Sequence, residues 1–329
     1  MARVGIIGGG AFGTAMACIV RRSGHDTTLW ARESEVVAAI NEGRGNPFFL
    51  PDVRLEPGIH ATSDLIEAAT QPDFVVLATP AQHLRGVAMQ IGPLLADGTP
   101  VVTCSKGIER VSYALMPEVI RETMPRATVA VLSGPSFAKE IARNLPCGVT
   151  LACRDTRVRN RLVCNIRTPN FCVYGTSDVI GTALGGVMKN VIAIASGIAA
   201  GRKLGENARA TIITLGLAEA TRLGVAKGAR ASTFRGLSGI GDLALTANSL
   251  QSRNTSLGVA LGEGSTVTEI LAGRKEVTEG ALSVEAVVAL ARRLGVAMPL
   301  AEAIDQVLNH GADLDATMTR WMTMNQPSM

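Results

Sequence analysis

Through the first half of the chain, short β-branched runs alternate with stretches of helical period. RVGIIG, DTTLW, DFVVLATP, PVVTCS, TVAVLSG, GVTLAC and FCVYG each read as a buried strand. Between the early ones, residues 13–22 and 33–42 carry apolar side chains at helical spacing. This cadence predicts an α/β fold, a doubly wound parallel sheet with helices on both faces. After about residue 181 the strands stop. ATIITLGLAEATRLG and SVEAVVALARRLG repeat apolar residues every third or fourth position and end on Gly after basic residues, as helix C-termini do. The pattern predicts a first domain over 1–180 and an all-helical domain over 181–329, with the boundary at 178–185.

Composition narrows the function. A chain of 329 residues, 47% hydrophobic and 18% charged, has enough apolar material for two packed cores and does not read as disordered. Aromatic residues make up only 3% and basic residues form no dense run, which argues against nucleic-acid binding. The net charge of +4, spread along the chain, suits a small anionic ligand. Cys18, Cys104, Cys147, Cys153, Cys164 and Cys172 form no CxxC pair and read as reduced thiols of a cytoplasmic protein. His25, His60, His83 and His310 lack metal-ligand spacing, so no metal is expected. MARVGIIGGGAFGTAMACIV imitates a signal peptide, but three glycines interrupt its apolar run. No uninterrupted apolar stretch approaches the ~20 residues of a membrane span. Residues 185–201, GGVMKNVIAIASGIAAG, read as too short and broken by Lys189 and Asn190, so no stable membrane insertion is expected.

Chemistry begins at the first strand. VGIIGGGAFGTAMA sets Gly8, Gly10 and Gly13 in the GxGxxG spacing directly after a strand and at the start of a helix. The first glycine permits the turn, the second admits a pyrophosphate, and the third packs helix on strand. Helix-start amides then face the phosphates. The first domain therefore reads as Rossmann-type and dinucleotide-binding. At the end of the second strand Arg32 precedes Glu33; an arginine there accommodates a 2′-phosphate, which favours NADP(H), with NAD(H) also accepted.

Further groups suit an anionic substrate. Lys106 follows a strand at the end where ligands of open sheets collect. Gly134, Pro135 and Ser136 lie at another strand end, before a helix expected to start near Ser136. Ser252, Arg253 and Asn254 bring together a hydroxyl, a guanidinium and an amide, and Asp242 sits among glycines in GLSGIGDLALT. Each alone has a plain structural reading: a solvated lysine, a turn, a helix cap. Lys189 alone reads as a side chain reaching water from a helix end. Beside a nucleotide fold, the joint pattern favours a functional, anion-binding reading over the plain ones.

GGGAFGTAMA, NPFFLPDVRL, CSKGIE, LSGPSFAKEIA, MKNVIAIASGIAAG, GENARATIITLGLAE, LSGIGDLALT and SRNTSLG together resemble the NAD(P)-dependent glycerol-3-phosphate dehydrogenase family, up to about residue 310. That family reduces dihydroxyacetone phosphate to sn-glycerol 3-phosphate for phospholipid synthesis. The resemblance implies that Lys189 donates and accepts the proton and touches substrate, and that Lys106 meets both cofactor and substrate. It implies that Gly134, Ser136, Asp242, Ser252, Arg253 and Asn254 hold substrate. Gly8, Gly10, Ala11, Phe12, Gly13, Arg32, Ala138, Arg253, Val277 and Glu279 would contact the cofactor. Ala11-Phe12 departs from the frequent Ser-Trp of the family, which removes a hydroxyl contact but leaves the backbone amides. Asn190 is a weaker candidate for orienting substrate. Two other readings remain open: a hydroxy-acid dehydrogenase of the same architecture, and an NADPH-binding sensor without turnover. Apolar helices in the second half are compatible with a homodimer.

Overall fold

The computed structural model describes residues 1–272 and 278–323. The chain divides into two compact units, one of Met1–Ser105 with Met116–Thr182, the other of Lys106–Leu115 with the chain from Ala183 onward. Residues 106–115 thus group with the helical unit, a return that a single linear boundary does not contain.

The first unit is built on one eight-stranded sheet. Its strands are β1 (Arg3–Ile7), β2 (Asp26–Trp30), β3 (Ile59–Thr62), β4 (Phe74–Leu77), β5 (Pro100–Thr103), β6 (Thr128–Ser133), β7 (Cys147–Cys153) and β8 (Phe171–Thr176), in the order β3-β2-β1-β4-β5-β6-β7-β8. All seven expected strands form, and β3 is an addition. The centre is buried on both faces: Ile6, Ile7, Val75, Val76, Val101 and Val102 are fully inaccessible, as the β-branched runs require.

The sheet is not wholly parallel, which corrects the sequence expectation. Neighbours from β3 to β6 run parallel, β7 is antiparallel to β6, and β8 is parallel to β7. The link between β6 and β7, residues 134–146, holds only a five-residue helix, Ala138–Ala142. Such a link is at the lower end of what a parallel crossover takes, and β7 returns antiparallel to β6.

The strand order reverses between β1 and β4, so the crevice outside their carboxyl ends is the place where such sheets bind ligands. Helix α1 (Ala11–Arg22) enters there, two residues earlier than the periodicity predicts. Helix α2 (Ser34–Asn41) follows β2, and α3 (Ala138–Ala142) starts two residues after Ser136.

Helix α4 (Val179–Gly201) has 23 residues and belongs to the second unit from Ala183 on. It is long and apolar enough to cross a membrane, against the sequence reading, but 89% of its most apolar window is buried inside the protein. The helix begins well before residue 185 because the Asp178 carboxylate accepts from the Gly181 amide in its first turn (2.9 Å). Then come α5 (Glu206–Ala226), α6 (Asp242–Ala247), α7 (Arg253–Gly262), α8 (Glu279–Arg293) and α9 (Pro299–Asn309). Helices α4 and α7 meet backbone to backbone. A Cβ on Gly197 would lie 2.2 Å from the Thr255 carbonyl oxygen, and one on Gly258 2.1 Å from that of Ile194. Gly201 and Gly262 repeat the contact one turn on.

Candidate active site

At the turn after β1 each glycine meets the demand that the GxGxxG motif places on it. Gly8 has φ +127° and lies so close to β4 that a Cβ would come within 2.8 Å of the Ala78 carbonyl oxygen. A Cβ on Gly13 would overlap the Gly8 carbonyl oxygen at 1.8 Å. Gly10 differs: a Cβ there would meet nothing within 4 Å, so this backbone faces open space. Gly10 caps α1 without a side chain, and the first turn, with Ala11, Phe12 and Gly13, carries no acidic residue. Open space against unencumbered helix-start amides is the cradle that a dinucleotide pyrophosphate fits. Arg32 projects beyond β2 with its side chain 79% exposed, paired with Glu33 at 2.8 Å.

At the end of β6, Gly134 holds φ +148°. The Ser136 hydroxyl donates to the Gly134 carbonyl (2.7 Å), closing the turn in front of Ala138 at the start of α3. In this geometry Ser136 acts within the turn.

The second unit gathers the charged residues. Asp242 is 1% exposed at the start of α6, directly after the π-helical turn Leu237–Gly241. Gly185 explains how α4 reaches it: a Cβ there would lie 2.2 Å from the Ser238 carbonyl oxygen, so only glycine lets the helices approach. Lys189, one turn further along α4, places Nζ 3.1 Å from Asp242 Oδ1. Lys106 places Nζ 2.5 Å from Oδ2. One buried carboxylate thus holds two ammonium groups, one on each oxygen. The Lys189 ammonium also donates to Thr246 Oγ1 (2.9 Å). Thr246, one turn after Asp242 on α6, joins this cluster and was missed by the sequence reading.

The electrostatics follow from this packing. Burial lowers the Lys189 ammonium to about 8, and nearby Lys106 and Arg253 push the same way, while Asp242 opposes them. Burial raises the Asp242 carboxyl, but the two ammonium groups outweigh it and hold the group below its ordinary range.

A chain of amides surrounds the cluster. Asn190 Nδ2 donates to the Lys106 carbonyl (3.1 Å), and Asn254 Nδ2 donates to Asn190 Oδ1 (2.9 Å). Asn254 Oδ1 accepts from the Gly280 amide (3.0 Å), the second residue of α8. Both asparagines are buried. Ser252 caps α7, its Oγ accepting from the Thr255 amide (3.2 Å), and Arg253 is exposed at the first position of that helix. Glu279 opens α8, while Val277 lies outside the described residues. Among the described residues no group of three or more His, Cys, Asp or Glu is placed to hold a metal ion.

Comparison with known proteins identifies the family. Residues 3–159 match the family described as NAD-dependent glycerol-3-phosphate dehydrogenase N-terminus, and residues 178–319 match its C-terminal counterpart. A glycerol-3-phosphate dehydrogenase (NAD(P)+) of Parvibaculum lavamentivorans is 50% identical over 313 residues, 95% of this chain and 94% of the relative. One from Caulobacter vibrioides is 51% identical over 316 residues, covering 96% and 95%. The crystal structure of glycerol-3-phosphate dehydrogenase from Coxiella burnetii superposes with TM-score 0.93 at 34% identity, covering 98% of this chain and 99% of that one.

Proposed function

This chain belongs to the NAD-dependent glycerol-3-phosphate dehydrogenase family, and from that premise we propose that Lys189 delivers the proton when dihydroxyacetone phosphate is reduced to sn-glycerol 3-phosphate. The observation that carries this reading is the single buried Asp242 carboxylate with Lys189 on one oxygen and Lys106 on the other.

When bound, the reduced nicotinamide supplies the hydride to the carbonyl carbon. The carbonyl oxygen then gains negative charge, and the Lys189 ammonium stabilises it and gives up a proton as the alcohol forms. An ammonium lowered to about 8 suits this exchange, because both its forms are accessible near neutral pH. Asp242 keeps both lysines aimed at one point, and Lys106 adds a second positive charge beside the developing oxyanion. Thr246 fixes the Lys189 rotamer through its hydroxyl. In reverse, neutral Lys189 accepts the proton of the alcohol.

Arg253, exposed at the start of α7, holds the substrate phosphate as a charge-assisted donor. Asn190 and Asn254 act one step back: their amides tie the Lys106 backbone to α4, α7 and α8. At the nucleotide end, the amides of Ala11, Phe12 and Gly13 hold the pyrophosphate, and Arg32 meets a 2′-phosphate. Its pairing with Glu33 is exposed and worth under about 1 kcal/mol, so redirecting the guanidinium costs little. NADPH is thus favoured over NADH without excluding it.

The test follows reduced-cofactor absorbance with dihydroxyacetone phosphate and NADPH or NADH, for the wild type and Arg32→Ala. Turnover with both cofactors is expected, with the variant losing NADPH affinity more than NADH affinity. Equal losses would remove the 2′-phosphate contact; no turnover with either cofactor would remove the reaction.

A further inference from the structure

NPFFLP is among the motifs that carry the family resemblance, yet no role in catalysis or binding attaches to it. Its first residue, Asn46, is 1% exposed and directed at the glycine-rich turn. Asn46 Nδ2 donates to the Gly9 carbonyl oxygen (2.8 Å) and to Thr14 Oγ1 (2.8 Å). The Thr14 hydroxyl, itself fully buried on α1, donates to the same Gly9 oxygen (3.3 Å). The Gly9 carbonyl therefore accepts from two side chains at once. The orientation of the Asn46 amide is fixed by its other end, because Oδ1 accepts from the Phe49 amide (3.2 Å). Asn46 in turn is held in a closed loop by the Leu50 amide, which donates to its carbonyl (2.9 Å).

The consequence follows from peptide geometry. In a trans peptide the carbonyl of one residue and the N–H of the next point in opposite directions. Two donors that hold the Gly9 carbonyl towards the protein therefore turn the Gly10 N–H away from it. Gly10 is the position where a Cβ would meet only open space. Gly9 is also packed closely on its other side, where a Cβ would lie 2.3 Å from the Ala31 side chain.

We propose that Asn46, with Thr14, is a positioning residue for the cofactor: it sets the Gly9–Gly10 peptide so that the Gly10 N–H points at the dinucleotide pyrophosphate. Asn46 does not touch the cofactor. Its amide supplies the donors that keep one backbone group aimed before any ligand arrives, so the turn pays no reorganisation on binding. The inference rests on the reading of this turn as the cofactor site.

The experiment titrates the full chain with NADPH, followed by protein fluorescence, for the wild type and Asn46→Asp. This change keeps the side-chain shape but replaces both N–H donors by an acceptor beside the Gly9 carbonyl. The Kd for NADPH is expected to rise on the order of ten-fold or more, while the KM for dihydroxyacetone phosphate at saturating NADPH stays within about three-fold of wild type. An unchanged NADPH Kd overturns the proposal, and so does a matching loss in substrate KM, which would mark a general structural defect. If Asn46→Asp does not fold, Thr14→Val and Thr14→Ser test the same device from the other side. Val is expected to weaken NADPH by about three-fold or more, with Ser near wild type; equal Kd values for the two overturn the inference. A wild type that binds neither NADPH nor NADH would instead remove the cofactor site itself, and the positioning role with it.

Discussion

In the proposed mechanism the chemistry turns on Asp242, whose carboxylate favours the charged form of Lys189 in a buried setting. Reduction needs the ammonium, so kcat/KM for dihydroxyacetone phosphate should be level below about 8 and fall above it. Oxidation of glycerol 3-phosphate needs the amine and should rise through the same point. Asp242→Asn removes the charge that raises Lys189, so both midpoints should move to lower pH, by about 1–3 units. A midpoint that stays or moves up, read from the pH–rate profile, would contradict this. Lys189 stood out in the sequence as an ammonium in an otherwise apolar helix, but alone it read as a side chain reaching water, and only the family resemblance gave it a role in proton transfer. Thr246 did not stand out, since a threonine one turn after an aspartate has no distinguishing pattern until the helix forms. Ser252 shows the converse: its hydroxyl serves the cap of α7, the structural role that its position before a helix allows.

Among elements, the α4–α7 crossing decides how the lysine helix meets the helix that starts at Arg253. Glycines at 197, 201, 258 and 262 bring the two backbones into contact, and a methyl group has no room. Gly258→Ala should therefore destabilise by about 1–3 kcal/mol, seen as a lower urea midpoint at unchanged slope; an unaltered midpoint would contradict the close packing. The helix-period pattern showed that these elements are helices, but not which of their faces meet. That pairing depends on small residues, which carry no hydrophobic signal. Strands follow the same division. The seven β-branched runs were readable, while β3, IHAT at the sheet edge, breaks its Ile and Thr with His and Ala and forms no such run. The antiparallel direction of β7 was hidden because strand composition carries no information on which way a neighbour runs.

Across the molecule as a whole, stability should depend on pH through a group outside the chemistry. Glu219 on α5 is 1% exposed and accepts from the amides of Leu300 (2.7 Å) and Ala301 (3.3 Å), so it caps α9 from a neighbouring helix. Burial raises its carboxyl to about 7 against those hydrogen bonds and Arg222, with Glu302 adding to the rise. The folded state then binds the proton more tightly than the unfolded state, whose value is near 4.5. The resulting stabilisation is complete below 4.5 and is lost as pH rises through about 7. Relative to Glu219→Gln, the wild type should lose stability between pH 5 and 7; parallel urea midpoints across that range would contradict the assignment. The order of a sheet followed by helices, and the glycine-rich turn between β1 and α1, were legible from periodicity and one glycine motif. The return of residues 106–115 into the helical unit, which brings Lys106 to Asp242, was not, because it is a tertiary contact between positions far apart in sequence.

The central claim is that Lys189 moves the proton, and Lys189→Met tests it most directly. NADPH affinity and turnover with dihydroxyacetone phosphate would be measured on the same preparation. The account predicts an NADPH Kd near wild type with kcat lower by about 10²–10⁴. Near-normal turnover in that variant would contradict it.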